Sequence, residues 1–217
     1  MALTSFFPLP NGAHLLDVNV GDVSLAVMHS PVEQSRGVVH FVHGFTGSKE
    51  DAWPLIQPLN ALGFSVIAHD HRGQFQSGHA DASTYSLTHL AADVAAIHAH
   101  FGYEGVNIIG HSFGGLVAQQ FAVDFSPQSL TLLCSGPSAL AERREKFSYT
   151  QEFLKLHSAI DARLHWQKTR DPQLNIGFSD SSEDLYATRW DASDMNSVIA
   201  HLGILSTAVD VTEKIAS

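Results

Sequence analysis

The sequence predicts an α/β fold: a mostly parallel sheet, an antiparallel hairpin at its start and a helical insertion near its end. Three observations carry this. Short apolar, β-branched runs at residues 37–42, 64–68, 106–109 and 130–134 have the length and composition of strands buried on both faces. Stretches of helical apolar spacing at 50–62, 86–101 and 114–125 alternate with them, and that alternation implies crossovers covering both faces of one sheet. From Pro137 onward helical spacing continues and no strand run follows.

Asn11-Gly12 marks a turn, and residues 14–20 and 23–29 read as strands joined across Gly21-Asp22, a tight hairpin signal. Residues 37–42 (GVVHFV) end at a Gly-rich turn. The helices at 50–62 and 86–101 close at Gly63 and Gly102, each suited to a left-handed C-cap. Residues 142–166 carry Phe153, Leu156, Ile160 and Leu164 at helical spacing. The polar stretch 168–184 reads as loop, and 197–209 places Val198, Leu202, Leu205 and Val209 on one stripe of a further helix.

With 217 residues, 44% of them hydrophobic, the chain supports one sizeable core. Its 12 Lys and Arg against 22 Asp and Glu give a net charge of -10, which repels phosphate backbones and anionic lipid alike. Neither nucleic acid nor a membrane is expected as partner. The single cysteine, Cys134, rules out an internal disulfide framework and reads as a small buried residue at a strand end. The start, MALTSFFPLPNGAH, lacks the pattern of a signal peptide, so a cytoplasmic location is expected. The 14 histidines are scattered, without HExxH or paired Cys/His spacing, and read as dispersed surface and core residues with no metal.

The chemistry-bearing segment is Gly110-His111-Ser112-Phe113-Gly114, which fits G-x-S-x-G between the strand at 106–109 and a helix. Such a turn presents the serine Oγ at its apex, with glycines removing side chains that would crowd it. The N–H of Phe113, at the positive end of the helix, is then a candidate oxyanion donor. His43-Gly44-Phe45-Thr46-Gly47 follows the strand at 37–42, and the N–H of Phe45 is the second candidate donor. His43 is expected to orient this loop rather than act as a base. Asp70-His71-Arg72-Gly73-Gln74-Phe75-Gln76-Ser77 follows the strand at 64–68. Gly44-Phe45-Thr46-Gly47-Ser48-Lys49 does not have the P-loop spacing, which sets aside an NTPase.

These three motifs, in this order and on these strands, resemble the α/β-hydrolase superfamily, particularly its esterase, monoacylglycerol-lipase and cofactor-free haloperoxidase-like members. The resemblance covers residues 23–134. It implies that Asp70 and Arg72 belong to a structural loop, in which Phe75 stands where the family commonly has a second glycine. It also implies three regions: 1–136 as the N-terminal part of the core, 137–209 as a helical cap, and 210–217 as the start of a return to the core. In the family the triad runs serine, acid, histidine, the last two on loops after two further strands. At about 30 residues per strand-helix unit, those strands would occupy roughly 60 residues C-terminal to Ser217. The acid and histidine are therefore unassigned within this sequence. His157, His165 and His201 all fall in the cap-like region, and His201 is expected to be a packed or solvated helix residue.

The implied function is a serine hydrolase cleaving a small or medium apolar carboxylic ester through an acyl-enzyme on Ser112, without metal or organic cofactor. Phe147 and Phe153 are expected to line its pocket. The 217 residues alone are expected to be inactive. The same constellation would serve a C–C hydrolase, lactonase or perhydrolase, and the contrasting reading is a non-catalytic ligand-binding or receptor-like module.

Overall fold

The computed structural model describes residues 3–138, 143–158 and 180–215, together with 161, 163–165 and 168. Six strands form one sheet: β1 (His14–Asn19), β2 (Ser24–Ser30), β3 (Val38–Val42), β4 (Ser65–His69), β5 (Val106–His111) and β6 (Ser129–Leu133), in the order β1-β2-β4-β3-β5-β6. β1 pairs antiparallel with β2 and β2 with β4, whereas β4, β3, β5 and β6 run parallel. β3 and β4 are buried at every residue, which is why they read as continuous apolar runs.

Three helices fill the crossovers: α1 (Trp53–Ala61), α2 (Leu87–Phe101) and α3 (Phe113–Phe125). A 3-10 turn over Lys49–Ala52 precedes α1, so the helix expected over 50–62 begins in a tighter form. Ser86 caps α2 by accepting from the N–H of His89, and Gly102 ends it at φ 70°. The strand alternation divides the core. Val38, Val42, Ile67 and Ile108 pack with α2 and α3 on one face, while Phe41, Val66 and Ala68 pack with Ile56 of α1 on the other.

Beyond β6 come α4 (Arg144–Leu156), α5 (Asp180–Ala192), α6 (Met195–Thr207) and a turn of helix, α7 (Thr212–Ile215). Phe147 and Leu154 of α4, Trp190 of α5, and Val198 and Leu202 of α6 form a separate cluster. Two expectations change here. The helix expected over 142–166 breaks at His157, whose backbone is extended, with residue 166 outside the described residues. The loop expected over 168–184 lies mostly outside them, and its end, from 180 on, is helical. α5 lacks a repeating apolar stripe and is anchored by Leu185 and Trp190 instead, so periodicity could not reveal it.

Cys134 is also corrected: it is exposed, at φ 51°. The cause is its strand. β6 has no partner on its outer edge within the described sheet and exposes Leu132 and Leu133. Among the described residues no helix is long and apolar enough to cross a membrane.

Candidate active site

Ser112 lies between β5 and α3 at φ 51° and ψ -115°, half-buried. A positive φ is disfavoured for a residue with a Cβ and costs on the order of 1–3 kcal/mol, so the surroundings must enforce it. Glycines allow the enforcement. A Cβ on Gly110 would lie 2.5 Å from the Gly114 carbonyl oxygen and 2.8 Å from the Ala118 Cβ. One on Gly114 would run into the carbonyl oxygens of Val42 and His43, and one on Gly115 into the Ser135 side chain. Gly115 is a requirement that the five-residue motif does not contain. The Ser112 N–H donates to the Leu133 carbonyl at 2.8 Å, which ties the turn to β6.

The β3–α1 loop passes against this turn. A Cβ on Gly44 would lie 3.3 Å from the Ser112 Cβ, so the Gly44-Phe45 backbone runs beside the serine. Phe113 is the first residue of α3, and its N–H has no carbonyl to reach within the helix. Of the two sequence-derived donor residues, Phe113 follows Ser112 in the chain and is fully buried, and Phe45 follows Gly44, which lies against Ser112 in space.

His43 anchors the loop. Its Nδ1–H donates to the Gly44 carbonyl at 2.8 Å, and its Nε2 accepts from the His71 N–H at 3.1 Å. Both nitrogens are used, and burial holds the ring neutral, with its pKa well below the usual histidine range. It is an orienting residue, as expected.

Two further ties hold the same loop. The fully buried Lys49 ammonium reaches Asp70 at 2.9 Å and Glu50 at 3.3 Å, while the Lys49 N–H donates to Asp70 at 2.7 Å. Burial pushes the Asp70 carboxyl up to about 6 despite the opposing Lys49 charge. Phe75 takes φ 46°, the conformation a glycine would adopt there, and its ring lies 4.7 Å from the Lys49 ammonium. The departure at Phe75 is thus accommodated at a positive φ. From α5, Arg189 donates to Asp51 at 2.8 Å, and the fully buried Trp190 meets Phe45 edge-on at 6.4 Å.

The 70–77 loop does more than scaffold the core, because the helices after β6 sit on it. The Asp194 N–H donates to the Gly73 carbonyl at 2.7 Å, the Phe75 N–H to Ser193 Oγ at 3.2 Å, and Gln74 to His201 Nδ1 at 3.0 Å. Arg72 forks onto Asp93 at 2.6 and 2.7 Å and reaches Asp22 at 3.0 Å.

His201 is a packed residue. It is fully buried, its ring lies 4.5 Å from that of Phe113, and burial holds its pKa well below the usual range. His157 and His165 stack on the two faces of Phe153 at 3.8 and 4.1 Å. Among the described residues, no histidine or carboxylate is hydrogen-bonded to Ser112 Oγ. Phe147, expected at the pocket, is spent on packing α4 against α5 and α6, and Phe153 on the two histidines.

Six of the 14 histidines are not dispersed. His98 Nε2 meets His40 Nδ1 at 2.7 Å, and His40 Nε2 meets His69 Nδ1 at 2.8 Å. The His69 ring lies 5.3 Å from that of His71, which in turn lies 4.0 Å from His43 and 6.0 Å from His201. Six buried histidines thus form one continuous group along the α2–α3 face. Their positions span residues 40–201, so no spacing rule could have assembled them. Among the described residues no set of three or more His, Cys, Asp or Glu is arranged to hold a metal ion.

Comparison with known proteins agrees with this architecture. Residues 37–197 match the alpha/beta hydrolase fold family. A non-heme haloperoxidase of Rhodococcus erythropolis is 39% identical over 77 residues, 36% of this chain and 28% of that protein. An esterase of Exiguobacterium antarcticum superposes with a TM-score of 0.68 at 16% identity, covering 88% of this chain and 72% of that one. The epoxide hydrolase VrEH1 of Vigna radiata gives 0.73 at 17%, covering 92% and 73%. At these identities the structural likeness is one of fold. The chain matches less than two thirds of the length of its curated relatives.

Proposed function

Because the chain belongs to the α/β-hydrolase fold family, we propose that it is a serine hydrolase that attacks the carbonyl of a small or medium apolar carboxylic ester with Ser112. The observation that carries this reading is the strained Ser112 turn lying directly against Gly44. Attack forms a bond from Oγ to the carbonyl carbon, and the oxygen becomes an oxyanion within reach of the Phe45 and Phe113 N–H groups. The Oγ proton passes through a general base, which the described residues do not include, to the departing alkoxide. Loss of the alcohol leaves the acyl-enzyme, and water, giving a proton to the same base, releases the acid and returns the proton to Ser112. Epoxide opening fits serine less well. It would leave a serine alkyl ether that water does not cleave, whereas a carboxylate nucleophile would leave a hydrolysable ester. The nucleophile position holds serine, which favours acyl substrates over the epoxides named for several structural neighbours.

One observation favours the non-catalytic reading: no described side chain takes the Ser112 proton. Loss of the histidine in a serine triad costs on the order of 10⁶ in kcat, so the 217 residues are expected to turn over esters poorly. Added imidazole separates the two readings by supplying a diffusible base to a half-exposed serine. A fluorophosphonate probe is expected to modify Ser112, faster with imidazole, and mass spectrometry is expected to find no adduct in Ser112→Ala. An adduct that survives that substitution, or none on the native chain even with imidazole, would refute the assignment.

A further inference from the structure

At the far end of β5 from Ser112, where α2 and α3 finish, a cleft of about 250 Å³ opens between them. Val106 lines it and begins the strand that Ser112 follows, so at about 3.3 Å per residue the two places are roughly 20 Å apart. The volume lies near or below the roughly 300 Å³ at which drug-sized pockets begin, which suits a very small ligand.

The polar lining has one sign. Glu104 stands at the cleft, α3 ends there at Phe125 and Ser126 with the negative end of its dipole, and no Lys or Arg lines it. Tyr103, Phe121 and Phe125 supply aromatic surface. His98 lines the cleft too, only 5% exposed, and the histidine chain fixes what it presents.

His71 Nε2 meets the His43 carbonyl at 3.1 Å, so it carries the proton and the partnerless Nδ1 is a bare acceptor. His69 Nε2 is likewise buried without a partner. If the chain ran from His69 to His98, two bare acceptors would be buried on neighbouring rings. Run the other way, His98 Nε2–H donates to His40, His40 donates to His69, and His69 keeps a donor beside the His71 acceptor. Both senses leave these two atoms unbonded, but the second places a donor rather than a second lone pair on the ring beside the His71 acceptor. It makes His98 Nδ1 a bare acceptor on the cleft side.

We propose that this cleft is a binding site for a small organic ammonium ion with an apolar or aromatic body. The ammonium donates to the acceptors of the floor and rim, and the rings take the apolar part and the face of the charge. The chain's net charge of -10 raises the local concentration of such a cation.

The test is NMR titration of the 15N-histidine-labelled chain with phenethylammonium, 2-phenylethanol and phenylacetate, three ligands of one shape and three charges. Phenethylammonium is expected to bind saturably with the largest shift at His98, the alcohol more weakly and the carboxylate not at all. Glu104→Gln, an exposed position, is expected to weaken the ammonium by about fivefold. An Nα-acetyl-lysine methylamide arm distinguishes a free amine from a lysine side chain, and tighter binding of the former is expected. Equal binding of phenylacetate, an unchanged Kd in Glu104→Gln, tighter binding of the lysine amide, or displacement of the ammonium by fluorophosphonate on Ser112 would each overturn the proposal.

Discussion

The β3–α1 loop and the β5–α3 turn touch at Gly44 and Ser112, yet they are held by different physics. The turn is held by steric exclusion and backbone hydrogen bonds: three glycines on which a Cβ would meet backbone or a neighbouring side chain, and the Ser112 N–H on Leu133. The loop is held by His43, by Lys49 against Asp70, and by Arg189 against Asp51, all groups that titrate or respond to salt. Two halves of one candidate site therefore ought to fail under different conditions.

Acid is the largest lever. His71 and His98 are held at about 4, and His40, His43, His69 and His201 well below the usual range, with burial the largest cause at each. These pKa values are depressed, so as pH falls below 6.5 the unfolded chain takes up protons before the folded one. The stability they contribute is complete above 6.5 and is lost toward 4, at up to about 1.4 kcal/mol per pH unit for each group. Asp70, raised to about 6, and Asp93, also raised, work the other way, since the folded state protonates them first as pH falls. Six histidines outweigh two carboxyls. The urea midpoint is expected to fall steadily from pH 7 to pH 5, with amide exchange rising over residues 43–51 before it rises in α3. A midpoint constant over that range, or α3 opening first, would break the comparison.

Gly114→Ala strikes the other half. The new Cβ meets two backbone carbonyls, which cannot swing aside as a side-chain end would. A cost of about 1–3 kcal/mol is expected, the usual range for overpacking, together with loss of fluorophosphonate labelling. The sharpening feature is pH: the cost should be nearly the same at pH 7 and pH 5, because the new contacts are with backbone, and His71, which donates to the His43 carbonyl, is held at about 4 and stays neutral over that range. A deficit that changes with acid would mean that the turn leans on the loop's charges after all.

What was legible in the sequence follows the same division. Strands, crossovers and the Ser112 turn are local in chain, written in β-branched runs and glycine spacing, and each of the six strands falls within two residues of its expected bounds. The seat of α5 and α6 on Gly73 and Gln74, the Arg189–Asp51 pair and the histidine group join residues far apart in sequence. Only tertiary structure brings them together. Cys134 was misread because burial of a strand end depends on what lies beside the strand, and β6 is uncovered. α5 escaped because its anchors are two side chains, Leu185 and the large Trp190, rather than a stripe.

Arg189→Ala probes the smallest tie, the one that among the described residues reaches the loop from α5 by charge. Its side chain is 12% exposed and that of Asp51 28%, so water screens the pair in part, and only one guanidinium nitrogen, Nη2, bonds the carboxylate. Partly exposed pairs of this kind contribute about 0.5–1 kcal/mol. Trp190 remains buried against Phe45 in the variant and keeps α5 seated. The expected loss in urea is therefore under about 1 kcal/mol at low salt, shrinking toward zero in about 1 M NaCl, where the screening length is about 3 Å. The Arg189 charge also helps to depress His43, so its removal should let His43 titrate at a slightly higher pH in the folded state, which narrows the gap to the unfolded value and lessens the acid-driven loss over residues 43–51. A loss that persists undiminished at high salt would assign Arg189 to packing rather than charge. The loop would then be held more like the turn than the geometry implies.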